Sequence, residues 1–204
     1  MTWFQRAVRP ASIVVTALLI AGTSGPGFAD GGNRVPFALI DHGGRAVTDT
    51  DFHGSYLLIF FGYTQCPDIC PTDLAKMAAA IDGLGGDAAR IQPLFVTIDP
   101  SRDTVAVLAD YVGHFHPRLI GLTGDPDRIA AFAARYGVRS KPYQDGDRGE
   151  VAGDYFLDHT GAMYLLGPDG GGLSYFQHDV VAADITSVMQ QFIARDDAAA
   201  LNQN

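Results

Sequence analysis

Two cysteines, Cys66 and Cys70, are the most reactive side chains in this 204-residue sequence, and they are its only cysteines. They stand in the stretch CPDICP, residues 66–71. A thiolate attacks disulfides and binds soft metals. The C-x-x-x-C spacing differs from the C-x-x-C of common dithiol redox motifs. Three intervening residues permit a disulfide and also let both sulfurs face one ion. Two soft sulfurs favour Cu(I), with zinc as the alternative. Two thiolates leave a zinc site short of its usual four ligands, so a further ligand must come from elsewhere. The competing reading is a stabilising disulfide. It would close a loop of only five residues, and so short a loop restricts the unfolded chain little.

A borderline-soft partner for two sulfurs is an imidazole nitrogen, and the chain has six histidines. His159 lies at a predicted strand end, and Asp158 beside it could orient a ring nitrogen, as carboxylates near metal-bound histidines do. His114 and His116 are two apart, so they do not share a helix face; they read as a helix end. His42 and His53 fall in glycine-containing turns, and His178 precedes a helix. Met77 and Met189 fall on apolar helical stripes and read as core. Residue type and spacing alone leave the six histidines as rivals.

The elements that must hold these residues alternate. Residues 56–61 (YLLIFF) and 92–98 (QPLFVTI) are apolar runs of strand length, and residues 119–122 make a third. Residues 156–157 and 164–166 read as two short strands joined at residues 159–161. Between them lie helical stripes: Leu74, Met77, Ala78 and Ile81; Val105, Leu108 and Val112; Ile129, Phe132, Ala133 and Tyr136; and Val181, Ile185, Val188, Met189 and Phe192. Pro71 suits a first helical turn. Asp125 and Pro126 start the third helix and Gly137 stops it. The tail after Arg195 is small and polar and is expected to fray. This alternation predicts an α/β sandwich whose first crossovers are parallel. The cysteine pair then follows the first long strand and opens the first long helix. A helix N-terminus carries partial positive charge and unpaired N–H groups, and both stabilise a thiolate.

Composition narrows the function. The chain is 47% apolar and 18% charged, with a formal charge of −9. Such an acidic chain is a poor nucleic-acid binder. The first ten residues carry Arg6 and Arg9 and no acid, residues 11–22 are an apolar core, and a small-residue exit ends at Ala29. This pattern predicts a secretory signal peptide over residues 1–29, cleaved after Ala29, with a short uncleaved anchor as the alternative. Residues 30–35 are a polar lead-in. Either reading places the remainder outside the cytoplasm, in the periplasm or an equivalent compartment, where two cysteines pair unless something reduces them.

Four ordered segments carry a family resemblance: FGYTQCPDICPT (residues 61–72), VTIDPSRDT (residues 96–104), LIGLTG (residues 119–124) and DYFLDHT (residues 154–160). Together they resemble the Sco/SenC copper chaperones. The resemblance implies a thioredoxin-like sandwich over residues 36–195, with a central mixed sheet and helices on both faces, followed by a flexible tail over residues 196–204. It implies that Cys66, Cys70 and His159 bind copper, as Cu(I) or Cu(II). It implies delivery to the CuA centre of cytochrome c oxidase subunit II, with a thiol reductant or a copper donor protein as further partners. It also implies that Cys66 and Cys70 act as a redox pair able to reduce the CuA cysteines. An extracytoplasmic thiol–disulfide oxidoreductase without stable copper is the alternative.

Overall fold

The computed structural model describes residues 35–143, 155–159 and 161–202, with the backbone alone for residues 142, 143 and 159. The expected leader and nearly all of the lead-in lie outside the described residues. In chain order the elements are β1 (Ala38–Asp41), β2 (Ala46–Thr48), β3 (Tyr56–Gly62), α1 (Ile69–Asp82), β4 (Ile91–Thr97), α2 (Val105–Gly113), β5 (Ile120–Thr123), α3 (Pro126–Arg135), β6 (Ser140–Tyr143), β7 (Phe156–His159), β8 (Ala162–Leu166), β9 (Gly172–Gln177) and α4 (Ala182–Leu201).

A seven-stranded mixed sheet runs β2-β1-β5-β4-β3-β8-β9. Its centre is parallel, with β4 between β3 and β5, and the other pairings are antiparallel. Every residue of β3 is buried, which is why it reads as an uninterrupted apolar run: a strand covered on both faces has no polar positions to alternate. Its side chains divide between two cores. Leu58 and Phe60 pack with Leu74, Met77 and Ile81 of α1, Leu108 and Val112 of α2, and Ile185 and Met189 of α4. Leu57, Ile59 and Phe61 pack with Ile129, Phe132 and Ala133 of α3. Three helices therefore cover one face and one covers the other, the thioredoxin-like arrangement expected.

The third helical stripe is wholly buried, Tyr136 included. Asp125 caps α3, its Oδ1 accepting the N–H groups of Asp127 and Arg128 at 3.1 Å. Gly137 follows the helix at φ +70°, a left-handed turn that glycine adopts without strain. Phe61 lies 5.5 Å from Phe132 and 5.4 Å from Tyr136, ring centre to ring centre. The Tyr164 hydroxyl donates to the Tyr136 carbonyl at 2.9 Å, tying α3 to β8.

The structure departs from the predicted hairpin. β7 does not pair with β8. It pairs antiparallel with β6 in a separate two-stranded ribbon, while β8 runs between β3 and β9. The strands β1, β2, β6 and β9 escape the apolar-run criterion. The first two are three or four residues long with alternating burial, β6 contains a proline, and β9 is a half-exposed edge. The last helix continues past Arg195 to Leu201. Asp196 accepts the Tyr56 hydroxyl, and Asp197 accepts Arg90 Nη1 at 2.8 Å.

Candidate metal centre

β3 and β4 end side by side, with Gly62 opposite Thr97, and the Ile98 N–H donates to the Gly62 carbonyl at 2.8 Å. Ligand sites in open α/β sheets gather at such carboxyl ends. From this edge the chain turns through residues 63–68 into α1. Asp103, 1% exposed, pins the turn. Its two oxygens accept the Thr64 hydroxyl at 2.6 Å and the Thr64 N–H at 3.1 Å, and the Thr97 hydroxyl donates at 2.6 Å. Burial pushes the Asp103 carboxyl above the ordinary range, and the hydrogen bonds from Thr64 and Thr97 only partly offset that.

Both cysteines are thiols here, Cys66 half-buried and Cys70 fully buried. The Cys70 N–H, in the first turn of α1, donates to Cys66 Sγ at 3.4 Å. The predicted placement at a helix N-terminus is thus observed, with a backbone donor aimed at sulfur. The Cys70 thiol is held far above its ordinary range, first by its hydrogen bond to Cys66 and then by burial. A soft cation shared by both sulfurs would replace that proton, because metal ligation requires thiolate. Gly62 makes room for the pair. A Cβ there would lie 2.7 Å from Cys70 Sγ and 2.9 Å from a Phe95 ring carbon. Phe95 also packs against Tyr111, ring centres 5.5 Å apart. The Tyr111 hydroxyl is buried with no hydrogen-bond partner among the described residues. Burial and the nearby cysteines raise its pKa.

The backbone brings the His159 strand to the same edge. The Leu157 N–H donates to the Tyr63 hydroxyl at 3.2 Å. Gly161, two residues beyond His159, lies against Ile69, between the cysteines, with 3.4 Å between its Cβ position and Ile69 Cγ2. Two residues of chain span at most about 7 Å. The β7 position of His159 is therefore beside the cysteine segment, although β7 belongs to the small ribbon.

Four of the other five histidines have a ring nitrogen bonded elsewhere. His42 Nδ1 accepts the Gly121 N–H, and His53 follows the 3₁₀ turn Asp49–Phe52. His114 caps the end of α2 and bonds the Asp110 carbonyl. His116 Nδ1 accepts the Arg118 N–H. His178 Nδ1 bonds the buried Asp73 carboxylate at 2.8 Å. Among the described side chains, no three of His, Cys, Asp or Glu form a metal-holding group. Met77 and Met189 are buried core residues, as predicted, and Met163 joins them.

Sequence reasoning missed the polar residues that frame the site. Asp99, Arg102 and Asp103 lie in the turn after β4, and Tyr63 and Tyr155 flank the two approaching segments. The available signal was the run Asp99, Arg102, Asp103 directly after a largely apolar strand, where ionisable groups are expensive to bury unpaired.

Comparison with known proteins gives the family. Residues 30–194 match the SCO1/SenC family model. The mitochondrial SCO2 homolog of Bos taurus is 43% identical over 160 residues, covering 78% of this chain and 59% of that one. The chain thus spans about three fifths of that relative's length. Two solved structures superpose well. Arabidopsis thaliana ScoI with copper bound is 36% identical at a TM-score of 0.73, covering 79% of this chain and 98% of its own. Bradyrhizobium japonicum ScoI with copper bound is 38% identical at 0.69, covering 78% and 98%. A family match over residues 30–194 and a fold shared with these structures settle the lineage: the chain is a member of the SCO1/SenC family.

Proposed function

We propose that this protein is a copper metallochaperone. Cys66 and Cys70 bind copper as thiolates, His159 adds a nitrogen, and the metal passes to the CuA centre of cytochrome c oxidase subunit II. The observation that carries the reading is the pair of adjacent thiols at the α1 N-terminus, on the fold of two copper-bound relatives. Cys66 is accessible and Cys70 is buried, so an incoming ligand reaches the copper from the Cys66 side. Low coordination leaves room for that exchange. A copper donor protein loads the site and a thiol reductant keeps the pair reduced. The acidic surface disfavours nucleic acid as a partner. The N-terminal segment, cleaved after Ala29 or kept as an anchor, delivers the domain to the periplasm or another extracytoplasmic compartment.

Anaerobic copper titration of the reduced protein tests this. One tightly held copper per chain is expected, abolished by Cys66→Ser. His159→Ala is expected to weaken Cu(II) more than Cu(I), since thiolates alone satisfy the softer ion better. No retained copper, or equal loss of both ions in His159→Ala, would count against the assignment.

The unequal exposure of the two sulfurs also favours a second reading, thiol–disulfide exchange. The Cys66 thiolate attacks a partner disulfide, releasing one partner thiolate and forming a mixed disulfide. Cys70 then attacks Cys66 Sγ, releasing the second partner thiolate. The partner gains two electrons and two protons, and Cys66 and Cys70 become a disulfide. The CuA cysteines are the substrate of this reaction. Retained exchange by a protein that holds no copper would make this the main activity.

A further inference from the structure

Arg102 lies in the turn between β4 and α2 and is 14% exposed. It touches all three segments at the site. Its Nε pairs with the Asp99 carboxylate in its own turn. Its Nη1 donates to Gln65 Oε1 at 3.0 Å, on the residue before Cys66. The same nitrogen donates to the Tyr155 carbonyl at 2.9 Å, four residues before His159. The guanidinium lies 3.6 Å from the Tyr155 ring centre and 5.7 Å from that of Tyr63. The cluster closes on itself, because the Tyr155 hydroxyl donates to Asp99 Oδ1 at 2.7 Å and the Tyr63 hydroxyl accepts the Leu157 N–H.

No strand of the main sheet pairs with β7, so nothing in the ladder fixes its distance from the cysteine turn. Cross-links from side chains must do so, and Arg102 bonds both segments with one nitrogen. A planar fork can serve Asp99, Gln65 and Tyr155 together and still stack on a ring, which a lysine ammonium cannot. Arg102 Nη2 is buried with no hydrogen-bond partner among the described residues. Such a cost is tolerated where the group's other contacts require its position.

We propose that Arg102 is a positioning residue that sets the spacing between the Cys66–Cys70 turn and the His159 strand, and so decides whether copper gains its nitrogen ligand. The inference rests on the reading of His159 as that ligand.

The test uses the full chain and three substitutions, Arg102→Lys, His159→Ala and the pair together. Cu(II) and Cu(I) affinities are measured by competition, and nitrogen coupling to Cu(II) by electron paramagnetic resonance. Arg102→Lys is expected to lower Cu(II) affinity about tenfold or more, the usual effect of losing a group that orients a ligand. It should change Cu(I) affinity little, keep sulfur-to-Cu(II) charge-transfer absorption and lose the defined nitrogen coupling. The double variant should bind Cu(II) no more weakly than His159→Ala. In the metal-free protein, the Leu157 amide should exchange faster in Arg102→Lys. Wild-type Cu(II) binding in Arg102→Lys, equal loss of both ions, or losses that add to those of His159→Ala would overturn the proposal. An unchanged His159→Ala variant would instead overturn the ligand assignment, so the two failures separate. Should Arg102→Lys not fold, Gln65→Ala removes one tether at an exposed position. It should move the same readouts in the same direction; no movement would refute the coupling.

Discussion

The missing side chain at position 62 matters as much as the thiols. Cys70 Sγ and Phe95 occupy the space a methyl would need, and both are buried. Gly62→Ala should therefore push the sulfur or the ring aside. The expected cost is about 1–3 kcal/mol, as for other overpacked cores, with copper affinity falling more than the stability loss explains. Urea unfolding with and without Cu(I) checks this, and an unchanged copper affinity would show that the sulfur has slack. Cys66 and Cys70 were legible because their residue type and spacing already state their chemistry. His159 stood out from five rivals only through the segment around it. Arg102 and Asp103 could not be assigned from sequence: their roles depend on Tyr155 and Thr64, which are 53 and 39 residues away along the chain.

At the level of elements, local rules predicted those pieces whose faces are fully buried. β3, β4 and the α3 stripe come from one-dimensional pattern alone, and α3 also carries its own stop and start signals. Asp125→Ala removes the acceptor for two N–H groups at the start of α3. It should cost about 1 kcal/mol, the usual value of an N-cap, and leave the proposed copper centre intact, since α3 packs on the opposite face from α1. Thermal melting and a copper titration separate these effects; loss of copper binding would mean that the two faces are coupled. The ribbon β6–β7 was beyond local rules. Strand partners of short segments are chosen by tertiary packing, and Phe156 and Leu157 carry no mark of whether β6 or β8 will receive them.

Across the whole molecule, acid sensitivity should concentrate in a few buried carboxylates. Asp41, the last residue of β1, is 1% exposed. Burial raises its pKa, but the Arg45 N–H, the Arg45 guanidinium and the Gly43 N–H outweigh that, so the net shift is downward. A carboxylate with a lowered folded pKa stabilises the protein above its unfolded pKa of about 3.9, and that contribution fades as pH falls toward the folded value. Asp41→Asn should thus cost about 1–3 kcal/mol at pH 7 and flatten the loss of stability below pH 4. Asp103, raised by burial, has the opposite sign: its ionisation costs stability as pH climbs from its unfolded to its folded pKa. Urea midpoints from pH 3 to pH 7 report both, and an acid limb unchanged in Asp41→Asn would refute the first. The sheet order has a consequence for synthesis. β3 is flanked by β4 on one edge and by β8 on the other, with Leu57 opposite Leu166. A ribosome makes these partners more than a hundred residues apart. During that interval the strand that leads into the cysteine turn has one bare edge, open to pairing with another chain. In an oxidising compartment its thiols would also be exposed to disulfide formation. The interval before residue 166 emerges is therefore when this protein most needs a reductant or a holding chaperone.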